Sequence, residues 1–152
     1  ISDRMRDLAA DFDAADIPVS LSEDLALARW EKLVWNVPYN GLSVVLDATT
    51  DQLMADPNAL ALVTDLMEEV RQGAAACGRT IEPATLEQMR ENTRKMKPYR
   101  TSMKVDYDEG QPMEVDAVFH RPLAKAEAHG VDLPTLRALT RQLHFLDARP
   151  RA

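Results

Sequence analysis

The stretch EKLVWNVPYNGLSVVL, residues 31–46, combines an apolar, helix-like pattern with a regular row of polar side chains. Lys32, Asn36 and Asn40 follow one another at intervals of four residues, so on a helix they lie one above another on one face. A face that met only solvent would be expected to carry charges of both signs, whereas this row carries one amine and two carboxamides. The row therefore predicts a cleft that holds a small polar molecule. Pro38 predicts a kink between the two asparagines, because it removes a backbone donor.

The composition of the chain is that of one globular domain. Of its 152 residues, 45% are hydrophobic and 28% are charged, and this length suffices for one compact core. The net charge of −7 argues against nucleic acid or an anionic membrane as a partner, and no apolar run is long enough to span a bilayer. The single cysteine, Cys77, excludes an internal disulfide and fits a reducing, cytoplasmic compartment. Because the chain opens with Ile1, we expect it to be a piece of a longer protein.

The apolar periodicity of the remaining sequence predicts an all-α fold, a compact bundle of about six helices, with one short strand near the start. Ser22 and Asp24 are alternative N-caps for the helix that carries the polar row. Asp56 and Pro57 predict the start of another helix, which Gly78 ends. The predicted segments are helices at 2–15, through the polar row, and at 57–77, 83–96, 114–129 and 133–146, a strand at 17–20 and a non-helical stretch at 97–113.

Several signatures of common sites are absent from the sequence. The five glycines form no G-x-G-x-x-G turn and no P-loop, so no dinucleotide-binding loop is expected within this chain. No G-x-S-x-G elbow is present. The histidines His120, His129 and His144 do not have the spacing of a zinc motif, and we therefore expect no metal site.

A second ordered set of residues lies in TSMKVDYDEGQPMEVD, residues 101–116. Ser102 and Met103 precede Asp106, and Glu114 lies twelve residues after Ser102. Together with the Lys-x-x-x-Asn-x-x-x-Asn helix, this order resembles the C-terminal domain of the ketopantoate reductase (2-dehydropantoate 2-reductase) family. The resemblance covers nearly the whole chain, and two further segments are similar to family features, LMEEVRQGAAACG and HGVDLP.

The resemblance implies a two-domain enzyme to which this chain contributes the second part. Residues 1–20 are then the last helix and strand of an otherwise missing NADPH-binding Rossmann domain. Residues 21–152 are then the helical substrate-binding and catalytic domain, with a fold like the C-terminal domain of 6-phosphogluconate dehydrogenase. The implied reaction is NADPH-dependent reduction of a branched 2-keto acid, ketopantoate to pantoate, in pantothenate and coenzyme A biosynthesis. The missing domain would bind most of the cofactor, so this chain alone is expected to be inactive, and a homodimer is one option for its assembly.

The resemblance also implies a role for each polar residue. Reduction of a 2-keto acid leaves negative charge on the former keto oxygen. A positioned ammonium group can stabilise that charge and donate a proton to the oxygen. The resemblance implies this catalytic role for Lys32. Substrate binding falls to Asn36, Asn40 and Ser102, whose neutral donors and acceptors suit carboxylate and hydroxyl groups. Glu114 would accept a hydrogen bond from a substrate hydroxyl. We therefore expect Lys32 and Glu114 to converge on one cleft, with the Asn36–Asn40 face partly accessible to solvent.

Other interpretations of these residues stay open. Lys32 could be a surface lysine whose stem covers apolar surface. The whole domain could be a free-standing interaction module without enzymatic activity, with the polar row buried at a protein interface. His120 stands where many relatives have glycine, and Pro38 between the asparagines leaves room for a related reductase that acts on a different 2-keto acid. The basic run within residues 90–100 is interpreted as a solvated helix face.

Overall fold

The computed structural model describes residues 1–149, and in this range the fold is all-α, as predicted. Eight α-helices are present there, and a π-helical segment, Asp116–His120, leads directly into the seventh. Residues 150–152, which the sequence assigns to the helical domain, lie outside the described range. The helices are α1 (Asp3–Ala14), α2 (Leu25–Val45), α3 (Thr50–Ala55), α4 (Pro57–Ala76), α5 (Pro83–Lys95), α6 (Ser102–Asp108), α7 (Arg121–Glu127) and α8 (Pro134–Asp147).

Local capping signals set the bounds of the two longest helices. Asp24, one of the two predicted caps, accepts a hydrogen bond from the backbone N–H of Leu27 at 2.9 Å and starts α2. Asp56 accepts hydrogen bonds from two backbone N–H groups in the first turn of α4, at 2.8 and 2.9 Å, and Pro57 follows it. Gly78 adopts a φ of 75°, a left-handed conformation that ends α4. The predicted start of α2 at Asp24 and the bounds of α4 are therefore confirmed.

The core is built around α2, which packs against α3, α4, α6, α8 and the π-helical segment. Because α2 is held on several sides, the position of each of its side chains is fixed by the core. Full burial of one Val or Leu side chain stabilises the fold by about 1.5–3 kcal/mol. The fully buried core side chains include Val34, Val37 and Tyr39 of α2, Val63, Leu66 and Met67 of α4, and Leu136 and Leu143 of α8.

Two glycines allow other elements to approach the long helices closely. A Cβ atom at Gly41 would lie 2.6 Å from Leu139 of α8 and 3.0 Å from Phe119 of the π-helical segment. A Cβ atom at Gly73 would lie 3.3 Å from the indole of Trp30. The first distance is shorter than carbon–carbon contact, so a larger residue at position 41 would force the Leu139 side chain to shift.

A buried carboxylate joins α4 to the start of α8. Glu69 is 8% exposed, and its two oxygens accept hydrogen bonds from the backbone N–H groups of Thr135 and Leu136 at 2.8 and 2.7 Å. These N–H groups belong to the first turn of α8, where the helix itself offers no acceptor and the dipole favours negative charge. The N-terminus of α8 is thus capped by a side chain from another helix.

The N-terminal segment differs in part from the prediction. The helix predicted at 2–15 is present as α1, but α1 contains no buried residue, and Met5, Leu8 and Phe12 on its apolar face are 40 to 48% exposed. Residues 17–20 form neither helix nor strand, so the predicted strand is wrong for this chain. A β-strand needs hydrogen bonds from a neighbouring strand, and residues 1–149 contain no strand that could supply them.

Two short helices correct the predicted connections. Helix α6 lies inside residues 97–113, which were predicted to be non-helical, and α3 lies between α2 and α4. The helix predicted at 114–129 begins instead with the π-helical segment. Isolated helices of six or seven residues are unstable in water, so contacts of α3 and α6 with α2 account for them.

Candidate substrate site on α2

The predicted polar row runs from the surface into the core. Lys32 is exposed, Asn36 is half-buried, and Asn40 is buried with 6% of its surface exposed. The Asn36–Asn40 face is therefore partly accessible, as expected, through Asn36 much more than through Asn40. The reason is that α2 is buried at every position from Val37 to Val44.

Helix α2 continues through the buried residue Pro38, with helical residues on both sides. The proline ring carries no N–H, so the carbonyl group of Val34, one turn earlier, receives no helical hydrogen bond from this position. The predicted kink between the asparagines stays a prediction.

Ser43, one turn beyond Asn40, ties α2 to the start of α6. Its hydroxyl donates to the carbonyl oxygen of Asn40 at 3.0 Å, and its Oγ lies 2.7 Å from Oγ1 of Thr101. Thr101 is the N-cap of α6 and accepts a hydrogen bond from the backbone N–H of Lys104. Because the Ser43 proton is directed to Asn40, the Thr101 hydroxyl donates to Ser43. This connection fixes Ser102, the first residue of α6, relative to the buried end of the row.

Ser102 is the first residue of α6, and Glu114 lies two residues before the π-helical segment. Both side chains are exposed. Glu114 directly follows Met113, whose backbone N–H donates to Oδ1 of Asp147 at 3.0 Å and so attaches the start of the π-helical segment to the end of α8. Since α6 and the π-helical segment both pack against α2, all five predicted residues lie on α2 or beside elements that contact it. The convergence of Lys32 and Glu114 on one cleft stays a prediction.

A buried lysine that the sequence analysis did not single out lies close to this connection. Lys104 is 7% exposed, and its Nζ lies 2.7 Å from Asp47 and also binds Asp108. Burial by itself would lower the pKa of Lys104, but its hydrogen bonds to Asp108 and Asp47 outweigh burial and raise the pKa. The hydrogen bond from Lys104 lowers the pKa of Asp108. The i,i+4 spacing of Lys104 and Asp108 is visible in the sequence, whereas the contact with Asp47 depends on how α6 packs.

The basic run within residues 90–100 forms ion pairs on the surface. Arg90 and Arg94 each bind a glutamate three residues earlier, and Arg100 binds Asp108. The interpretation of this run as a solvated helix face fits Arg94, whose side chain is 49% exposed on α5, whereas the Arg90 side chain is 20% exposed and Arg100 lies beyond the end of the helix.

The contacts of the three histidines involve one another or residues outside the polar row. The rings of His120 and His144 are 5.9 Å apart, edge to face, and Nδ1 of His129 lies 2.8 Å from the carbonyl oxygen of Lys125. Among residues 1–149, no group of three or more His, Cys, Asp or Glu side chains is arranged to hold a metal ion. In the same range no helix combines the length and apolarity needed to cross a membrane.

Residues 24–147 match the family described as "Ketopantoate reductase PanE/ApbA C terminal". The chain belongs to the ketopantoate reductase family, as its C-terminal domain. The matched range begins at Asp24, the N-cap of α2, and contains Lys32, Asn36, Asn40, Ser102 and Glu114.

Relatives of this ketopantoate reductase C-terminal domain cover nearly all of the chain. A 2-dehydropantoate 2-reductase from Nostoc sp. is 55% identical over 151 residues, which are 99% of this chain and 47% of that protein. Crystal structures of 2-dehydropantoate 2-reductases from Geobacter metallireducens and Methylococcus capsulatus both match with a TM-score of 0.90, at 37% and 33% identity. They cover 95% and 96% of this chain and 49% and 47% of their own chains. The chain thus spans about half the length of the relatives it matches.

Proposed function

We propose that this chain is the substrate-binding and catalytic domain of an NADPH-dependent reductase that converts a branched 2-keto acid, ketopantoate, into pantoate for pantothenate and coenzyme A biosynthesis. The observation that carries the proposal is Asn40. Only 6% of Asn40 is exposed and its carboxamide has no hydrogen-bond partner among the described residues, yet its amide atoms are not among the fully buried polar atoms that lack a partner, so the amide keeps contact with solvent. A carboxamide offers both donors and an acceptor, so this unpaired and accessible amide suits a polar ligand at the inner end of the row.

Lys32 has the properties required of the catalytic cation. It is exposed, and it forms no ion pair within residues 1–149, so no neighbouring carboxylate neutralises its charge. An ammonium beside the keto oxygen interacts most strongly when that oxygen carries negative charge, and it can then donate a proton. Lys32 is therefore assigned to transition-state stabilisation and protonation.

The neighbouring groups would bind and orient the substrate. Like Asn40, Asn36 has no side-chain hydrogen bond to the described residues, so both amides are free to hold a carboxylate or hydroxyl group. Ser102 offers a donor at the start of α6. The exposed carboxylate of Glu114 is assigned to a substrate hydroxyl, because it can accept but not donate when ionised.

NADPH, when bound, supplies the hydride. The described residues do not fit its pyrophosphate, because they contain no glycine-rich turn ahead of a helix N-terminus. We assign the cofactor mainly to a Rossmann domain preceding this chain, with residues 1–20 as its last part and 21–152 as the helical domain. The exposed apolar face of α1 and the half-length match to the relatives support this division. By the same argument, this chain alone is inactive.

The free thiol of Cys77 and the net charge of −7 support a cytoplasmic enzyme whose partner is a small 2-keto acid. A homodimer is the alternative to a monomer, and sedimentation of the longer protein distinguishes them.

The test is steady-state NADPH oxidation by the longer protein that contains this chain. Ketopantoate should have the highest kcat/KM among ketopantoate, 2-ketoisovalerate and pyruvate, because only ketopantoate offers a hydroxyl to Glu114. Glu114→Gln should reduce this preference about tenfold or more, whereas Glu109→Gln, at an exposed turn position, should leave it unchanged. A higher kcat/KM with another 2-keto acid would show that the protein is a related reductase with a different substrate. Absence of NADPH oxidation with every substrate would favour the alternative of an interaction module without enzymatic activity.

A further inference from the structure

A cavity of about 250 Å³ lies between α2 and the segment formed by the π-helical turn and α7. Its walls include three cations, Arg29, Arg121 and Lys125, and the apolar side chains of Trp30, Leu33 and Pro122. None of the five residues assigned to the keto acid lines it. The walls of the cavity are therefore formed by residues other than those assigned to the proposed reaction.

The charge of this cavity is opposite to that of the chain. Arg121 binds Asp116 at 2.7 Å, but Arg29 and Lys125 form no ion pair within the part of the chain that the structure describes. Three cations against one carboxylate leave two uncompensated positive charges at this place, in a chain whose net charge is −7. Such a concentration of cations in an acidic protein favours an anionic ligand.

The floor of the cavity sets a second requirement for a ligand, in addition to negative charge. Trp30 is 5% exposed, its indole reaches inward to the position of Gly73, and Leu33 and Pro122 lie beside it, so the floor is apolar. Charges beside an apolar wall are less screened than charges in open water. An apolar floor below a cationic rim suits a ligand with an apolar body and an anionic head.

We propose that this cavity binds a small organic phosphate monoester, with the phosphate between Arg29 and Lys125 and the apolar body on Trp30 and Leu33. A phosphate monoester carries roughly −1.5 to −2 charges at neutral pH, which matches the two uncompensated cations, and arginine binds phosphate through paired donors. A carboxylate would neutralise only one of them. The volume is below the roughly 300–1,000 Å³ of sites for drug-sized ligands, so a whole dinucleotide does not fit.

The test is calorimetric titration of the chain with phenyl phosphate, benzoate and inorganic phosphate. Phenyl phosphate should bind saturably, about tenfold tighter than benzoate, which has the ring and one charge, and than inorganic phosphate, which has no ring. The double variant Arg29→Gln/Lys125→Gln should weaken phenyl phosphate binding about tenfold or more. The matched control, Lys95→Gln/Lys97→Gln, removes two exposed cations elsewhere and should leave the affinity unchanged.

Arg29 and Lys125 are both exposed, so their replacement should leave the thermal unfolding temperature unchanged. Circular dichroism measures that temperature. A loss of binding in a variant with unchanged unfolding then cannot be attributed to loss of the fold. Absence of saturable binding, equal affinity in the double variant, or benzoate or inorganic phosphate binding as tightly as phenyl phosphate would each overturn the proposal. Because none of these readouts involves keto acid reduction, the outcome is independent of the proposed enzymatic function.

Discussion

Oγ of Ser43 lies 2.7 Å from Oγ1 of Thr101, and both residues are fully buried. The contact joins the last turns of α2 to the N-cap of α6. Its hydrogen bonds run in one direction, from the N–H of Lys104 to Thr101, from Thr101 to Ser43, and from Ser43 to the carbonyl oxygen of Asn40. Each donor in this chain has an acceptor, so the buried end of the polar row and the start of α6 form one connected unit.

Loss of this connection should destabilise the domain. Ser43→Ala should lower the free energy of unfolding by about 1–3 kcal/mol, because the Thr101 hydroxyl then stays buried without an acceptor. Thr101→Val should cost a similar amount through the lost cap, and the double variant should cost less than the sum. Urea unfolding measures all three. Ser102→Ala, at an exposed neighbouring position, is the control and should change stability by less than about 0.5 kcal/mol. Full additivity of Ser43→Ala and Thr101→Val would contradict the contact.

The ion pairs of Lys104 should set part of the pH dependence of stability. The pKa of Asp108 is lower in the folded state than in the unfolded state, where it is about 3.9. The carboxylate therefore contributes stability that is present above the unfolded pKa and is lost as pH falls through the folded pKa. The pKa of Lys104 is raised on folding, so its contribution is present below the unfolded value of about 10.4 and is lost as pH rises through the folded pKa.

Lys104→Met should therefore lower the free energy of unfolding at neutral pH by about 1–3 kcal/mol and flatten its decline toward acid. Urea midpoints measured across the acidic range test this. Lys97→Met, at an exposed position without an ion pair to the described residues, should keep the wild-type profile. An unchanged acid decline in Lys104→Met would show that other groups cause it.

Lys32→Ala should act on turnover rather than on the fold. In the longer protein, kcat should fall on the order of 10²–10³-fold, because the ammonium acts mainly on the developing alkoxide. Stability should change by less than about 0.5 kcal/mol, since the side chain is exposed. Lys97→Ala serves as the matched control. An unchanged kcat in Lys32→Ala, with or without a loss of stability, would show that Lys32 is a surface lysine without a catalytic role.

This chain alone should not bind NADPH measurably. Binding of the pyrophosphate needs a glycine-rich turn at a helix N-terminus, and the sequence contains no such turn. Calorimetric titration of the chain with NADPH checks this, with the longer protein as the positive control. Micromolar affinity for the isolated chain would contradict the proposal that a separate domain binds most of the cofactor.

The sequence determined the features that depend on residues close together in the chain. The periodicity around Lys32 and Asn36 indicated α2, and the cap formed by Asp56 with Pro57 and the stop at Gly78 bounded α4. These signals are readable because helical faces and caps involve residues only a few positions apart. The order of the polar residues also sufficed to indicate the family.

Tertiary structure decided which of these side chains are buried and which elements exist at all. Asn40 is buried because α2 is enclosed over its second half, and α6 exists because Thr101 meets Ser43, 58 positions away. Glu69 caps α8 across 66 positions. The predicted strand at 17–20 failed for the same reason, since its partner would have to come from another part of the protein. Contacts between distant residues depend on how all helices pack at once, and no local pattern in the sequence encodes them.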